Sequence, residues 1–220
     1  MCSGPARRRT LAVTESRRMI LLLAVIAGSA AGAAKAWLGG RELSSPDLRL
    51  VWLVPVAFLP QWLAFFCPFS PQVPPNWAAA ALVSSQVLLV LFAILNREQA
   101  GFWVLGIGLT MNILVIVLNG GLMPISPDAV MQLAPNASLD AWQIGQRLGT
   151  TKDIVLPDAA THLCWLADRF TLSVPKPHPW RVAFSLGDVL IAIGAFSLLW
   201  ALGGEPSARK TSARVATHSF

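Results

Sequence analysis

The chain has no tyrosine, only three cysteines and few charges, with Asp, Glu, Lys and Arg making up 13 % of its 220 residues. That share is about half the usual one for a soluble domain. It excludes intrinsic disorder and nucleic-acid-binding tails. With 55 % hydrophobic residues and a mean hydropathy of +0.58, it also excludes most water-soluble folds. Cys2, Cys67 and Cys164 are odd in number and far apart, so no disulfide framework or CxxC metal pair follows. There is no nucleotide-binding glycine loop, no GxSxG and no HExxH. His162 and Cys164 are two apart, which suits no zinc knuckle, and Asp158 with His162 reads as a surface pair. Neither a metal nor a cofactor is expected.

The missing charge is concentrated. No Asp, Glu, Lys or Arg lies between Arg49 and Arg97, or between Glu98 and Asp128. A spanning helix needs about 20 mostly apolar residues, because lipid offers the backbone no water to bond. Five runs qualify: Met19–Leu38, Leu50–Cys67, Trp77–Leu95, Gly101–Gly121 and Ala183–Leu202. Prolines between Cys67 and Pro75 stop one helix and set the next. Nine Trp are present, and several sit at the edges of these runs, as in an interfacial aromatic belt. The expected fold class is therefore all-α: a polytopic bundle of five transmembrane helices in the cell membrane. Its partners are the lipid bilayer and an unidentified protein, with no nucleic acid.

The chain divides into a basic disordered leader (1–18), spans one to four (19–121), an extramembrane loop (122–182), the last span (183–203) and a disordered tail (204–220). Arg17-Arg18 followed by an apolar core and small residues also fits a cleavable signal peptide. Gly28 and Gly32 form a GxxxG that fits close helix packing instead, and the preferred reading is a retained span. Of the 17 Lys and Arg, ten lie on the side of the N-terminus and the large loop and seven on the other, favouring that side as the inner one. Translation starting at Met19 removes five of the ten and reverses the count, so orientation stays open. In the loop, two short amphipathic helices are expected, from Ser138 to about Leu148 and from Asp158 to about Phe170, with Val174–Trp180 extended. Asn136-Ala137-Ser138 fits a glycosylation acceptor.

Two groups of residues could carry chemistry. Asp188 is the acidic residue inside an expected span, and ionisable groups at membrane depth are costly and often functional. Ser185 and Asp188 also have the spacing of a helix capping box, which needs no activity. Asn112 lies within the fourth span and Asn119-Gly120-Gly121 closes it, as at an ordinary helix C-terminus. Asn112, Gln61 and Gln86 would then bond across helices. Asn119 and Asp188 fall on one membrane side, where the loop bearing Asp168-Arg169 can fold over both. A polar cluster of Asn119, Asp168, Arg169 and Asp188 is therefore sterically allowed, with Asn112 and Ser185 beside it.

Gly39-Gly40-Arg41, Gln61, Leu118-Asn119-Gly120-Gly121-Leu122-Met123-Pro124 and Phe184-Ser185-Leu186-Gly187-Asp188 with Gly194 resemble a family of small bacterial membrane proteins, domain of unknown function 5317. The likeness covers roughly Met19 to Leu202. It implies a helical membrane fold and a bacterial origin, and no activity. Leu166-Ala167-Asp168-Arg169 and Phe184–Ile191 also look like two motifs of the lipoprotein signal peptidases. That resemblance implies Asp188 as a catalytic carboxylate, with Asp168 as substitute partner. Thr171–Ala183 contains no acid where those enzymes carry theirs, and Trp165 and Ser185 stand where asparagines belong. Three functions follow. The first is a non-enzymatic binding or structural membrane protein. The second is an aspartyl-type hydrolase using Asp188 with Asp168. The third is a small transporter with a polar path through Gln61, Gln86, Asn112 and Asp188, disfavoured because transporter folds usually duplicate their halves.

Overall fold

The computed structural model describes residues 24–39, 47–135, 142–174 and 180–203. The expected leader, tail, glycosylation tripeptide and start of the first span lie outside them. The described chain is mostly helical. Helix α1 covers Ala24–Leu38, α2 Leu53–Phe65, α3 Pro75–Leu95, α4 Ala100–Leu118, α5 Pro127–Leu133 and α6 Leu186–Ala201. Of these, α3 and α4 are long and apolar enough to cross a membrane, while α1, α2 and α6 are shorter apolar helices. The 21 residues of α3 rise about 32 Å, the 16 of α6 about 24 Å and the 13 of α2 about 20 Å.

Local chemistry sets these boundaries. Pro75 opens α3, where its missing N–H costs nothing. Asn96 closes it: its amide donates to the carbonyls of Phe92 and Arg49, and its oxygen accepts from the Arg49 N–H at 2.7 Å. That side chain thus pairs like a strand residue, fastening the segment before α2 to the α3–α4 turn, where Arg49 also meets Glu98 at 3.0 Å. Helix α4 ends in a Schellman closure, with the Gly121 N–H reaching back to the Ile116 carbonyl at 2.8 Å. Gly120 and Gly121 have φ of +84° and +88°, which only glycine adopts without strain.

Helices α2, α3 and α4 bury Phe65, Leu82, Phe92, Phe102 and Ile116 between them, whereas α6 packs on its neighbours through small and polar residues. Helix α6 runs antiparallel to α4 at backbone contact. A Cβ on Gly108 would stand 2.6 Å from the Gly187 carbonyl, and one on Gly194 2.7 Å from the Leu105 Cβ. Helix α1 lies alongside α6 in the same direction, with Gly28 against Phe196 and Leu199, and Gly32 against Leu199 and Trp200. Gln61 donates to Ser85 at 2.5 Å, joining α2 to α3. Phe58, Leu59, Leu91, Ile107, Val117 and Ile193 face outward.

The chain is not all-α. The loop expected to hold two amphipathic helices instead forms a cap of short strands. Strand β1, Met123–Ile125, pairs in parallel with β2, Asp153–Val155, and bridges Asp168 on its other side. Strands β3, Phe170–Val174, and β4, Trp180–Phe184, form an antiparallel hairpin. The expected helix from Asp158 to Phe170 is two separate 3-10 turns, Asp158–Ala160 and Cys164–Leu166, followed by strand. Leu163 between them is left-handed, with φ +54°, which no continuous helix accommodates. Of the expected 138–148 helix, the described part, 142–148, is irregular and contains the positive-φ Gly145. Of the stretch read as extended, Val174 and Trp180 end the two hairpin strands, and 175–179 lie outside the described residues. The cap's helix is α5, begun by Ser126, whose hydroxyl accepts from the Ala129 N–H, with Pro127 in the first turn. Its Ala129 and Val130 pack with Ile125, Val155 and Ala183 in a small core of the cap's own.

Candidate functional site

The cap meets the bundle where β4 runs into α6. Ser185 is extended and turns the chain from strand to helix. Its hydroxyl accepts from the Asp188 N–H at 3.1 Å, and its own N–H donates to Asp188 Oδ2 at 3.2 Å. This reciprocal capping box satisfies two otherwise orphaned amides and places a carboxylate at the positive helix end. Asn112, from the middle of α4, closes the group. Its amide donates to Asp188 Oδ1 at 2.9 Å, and its oxygen accepts from the Ser185 hydroxyl at 3.0 Å. Gly187 and Gly108 make this contact reachable, because any side chain on Gly187 would run into Asn112 Oδ1.

Seven residues on, two turns toward the cap, Asn119 performs a similar task for the loop. Its amide donates to the carbonyls of Val115 and His162, and its oxygen accepts from the His162 N–H at 2.9 Å. The side chain thereby copies a peptide group and holds the loop against the end of α4. It also fixes the residue before left-handed Leu163, whose side chain packs against the bundle core.

A buried ionic group lies above. Asp168 and Asp153 are both 0 % exposed. Asp168 bonds to β1 through its N–H, which donates to the Pro124 carbonyl at 3.1 Å, and Lys152 Nζ stands 3.3 Å from its Oδ2. Arg147 crosses from the cap to the bundle. It donates to the carbonyls of Thr150 and Thr151 within the cap and to Ala64 in the last turn of α2, and its guanidinium lies 4.9 Å from the Phe65 ring centroid. A cation at a helix C-terminus meets the negative end of the dipole. Burial pushes the Arg147 pKa below its ordinary value, and the Asp153 carboxylate opposes that shift. Replacing Arg147 by Ala leaves three carbonyls short of a donor and removes the stacking on Phe65. The expected loss is about 2–3 kcal/mol, with faster proteolysis of the 142–174 region than of the bundle. Unchanged cleavage would show that the cap is held by other contacts.

The hairpin register puts Asp168 and Ser185 at the same end of the sheet, since Phe170 pairs with Phe184. Of the residues expected to cluster, Asn112, Ser185 and Asp188 form one bonded ring. Asn119 is held by His162 rather than by a carboxylate, and Arg169 faces Asp158 at 3.6 Å on the exposed side. Asp158 therefore meets an arginine, and not His162 as the i, i+4 spacing suggested. Lys152, Asp153 and Arg147 were not foreseen. They sit in a polar stretch that reads as surface, and their partners are set by strand pairing. The only sequence signal is the apolar Ile154-Val155-Leu156 run directly after Lys152-Asp153.

A model described as a family of unknown function, DUF5317, matches residues 46–200, well over half the chain. The chain belongs to DUF5317. The match takes in α2 to α6 apart from the last residue of α6, and the whole cap, so all the site residues above lie in the DUF5317 region. An uncharacterised protein of Thermotoga maritima is 32 % identical over 137 residues, covering 60 % of this chain and 69 % of that protein. No solved structure matches. The DUF5317 match brings no peptidase assignment, and the likeness to lipoprotein signal peptidases rests on its two short elements alone.

Proposed function

We propose that this DUF5317 protein is a multi-pass membrane protein of five spans that acts as a non-enzymatic binding or structural element, with the described residues between 122 and 184 forming a cap on one membrane face. The observation that carries the membrane reading is the sorting of exposed tryptophans. Trp37, Trp52, Trp103 and Trp200 stand at one end of the helices, and Trp62, Trp77 and Trp165 at the other. Trp37 and Trp77 are 82 % and 72 % exposed, and the helix surfaces between the two sets are apolar. Isolated exposed apolar residues are ordinary, but a continuous belt of them is not. Hydrocarbon about 30 Å thick, bordered by indole rings at the headgroups, accounts for both features. The packing of Gly28 and Gly32 against α6 supports α1 as a retained fifth span.

The non-enzymatic reading is supported by how the polar groups are used. Both Asp188 oxygens accept bonds that hold α6 in place, and Asp168 is sealed from solvent beside Lys152. Gln61 and Asn112 each bond one neighbouring helix, which suits packing better than a transport path.

Sidedness tests the five-span topology. With Cys2, Cys67 and Cys164 replaced by Ser, single cysteines at Gln99 and Gln143 are expected to react with an impermeant thiol reagent from opposite faces of sealed vesicles. Labelling of both from one face would defeat it. The same experiment fixes which face carries the cap.

A further inference from the structure

We infer that the flank of α3 and α4 holds one chain of an anionic phospholipid, with Arg97 taking the phosphate. This rests on the membrane reading above. A groove of about 440 Å³ runs between the two helices on their outward side. Its walls are mainly apolar, Val90, Ile94, Phe102, Ile107 and Met111 among them, and the side chains with polar groups are Arg97 and Trp103 toward the mouth and Thr110 within. Thr110 is already spent, its hydroxyl donating to the Gly106 carbonyl at 2.7 Å. The groove interior therefore offers nothing to a polar ligand and much to a hydrocarbon.

Arg97 supplies the second half of the recognition. It stands just past the end of α3 on the exposed turn, level with the tryptophans of that end. Its neighbour Arg49 is engaged by Glu98, whereas Arg97 has no ion pair among the described residues. From Arg97 to Val90 is seven residues, about 10 Å along the helix, and the α4 wall continues to Met111. That depth lies within the roughly 15 Å of hydrocarbon in one leaflet. A phosphate at Arg97 thus leaves its acyl chain lying along the groove. Gly106 forms the floor: a Cβ there would touch Ala93 Cβ alone, at 3.4 Å. A larger side chain at Gly106 fits the helix and fills the groove.

Native mass spectrometry of the full chain tests this, after reconstitution in equal phosphatidylglycerol and phosphatidylcholine and release into mild detergent. The wild-type chain is expected to keep one lipid, with phosphatidylglycerol preferred about five-fold, the factor for one basic residue at an anionic surface. Arg97→Gln should remove the preference but keep the lipid, and Gly106→Leu should remove the lipid of either class. Retained lipid that is the same in all three proteins would overturn the site. So would a wild-type dimer that Gly106→Leu converts to monomer, because a second copy would then be the occupant. Alkaline carbonate extraction of the same three proteins reads membrane insertion separately. All should stay in the pellet, and release of the wild-type chain would overturn the membrane reading and the lipid site with it.

Discussion

Asp188→Ala should unfold at markedly lower temperature than the wild type, whereas Asp188→Asn should fold and lose less. Alanine strands the Asn112 amide and the Ser185 N–H, which now donate to the carboxylate. Leaving such groups unpaired costs about 1–3 kcal/mol each, and the lost helix cap adds about 1 kcal/mol. Asparagine can restore the ring if the Asn112 amide turns over: the introduced amide then donates to the Asn112 oxygen, and the Asn112 nitrogen donates to the Ser185 hydroxyl. The Ser185 hydroxyl proton then loses its acceptor, so the expected cost is about 1–3 kcal/mol, below that of alanine, read by thermal unfolding in detergent. Asn112→Leu should resemble the alanine variant, and the double variant should be no worse than either single change, because both remove one interaction. A hydrolase would behave differently, since a catalytic carboxylate tolerates neither change in turnover, however stable the fold. An Asp188→Asn protein that fails to fold would contradict the capping role.

Gly194→Leu is expected to be the most damaging single substitution in the bundle, at about 3 kcal/mol or more. A Cβ at this position would stand 2.5 Å from the Leu105 backbone nitrogen, so α4 and α6 must separate. On the membrane reading proposed above, helices gain nothing from hydrophobic exclusion, and close packing is the main source of their association. Separation also pulls Asn112 from Ser185 and Asp188, so the loss includes the ring. Gly106→Leu on the outward face is the matched control and should fold normally, because its only close neighbour is Ala93. Unfolding of the two variants in a graded detergent series separates the outcomes. Equal stability would mean that α4 and α6 are not in backbone contact.

The bundle was legible in the sequence because it is written in local signals. Charge-free runs, the prolines from Pro68 to Pro75 and the Asn119-Gly120-Gly121 stop each act within a turn or two of where they stand. The Ser185–Asp188 box was legible for the same reason. The cap was not, because its order comes from pairs far apart in the chain. Strand β1 has three residues and finds β2 thirty positions later, too short for any alternation to declare it. The 158–170 segment carries apolar residues at helical spacing, yet Leu163 enters the left-handed region because its neighbour His162 is tied to Asn119. The hairpin was hidden in plain alternation: Thr171, Ser173, Arg181 and Ala183 share the α5 face, while Phe170, Leu172, Val182 and Phe184 share the other. Ser126-Pro127-Asp128 is a standard helix opening that the sequence reading passed over.

The ring at Asn112 also has a consequence for how the protein is made. Asn112 and Asp188 are 76 residues apart. At about 5–20 residues per second, α4 leaves the ribosome roughly 4–15 s before the aspartate that completes it. During that interval Asn112 is without the partner its amide has in the folded chain, while the whole cap is synthesised. The Asn112 contact is thus among the last to form, because it waits for the sixth helix.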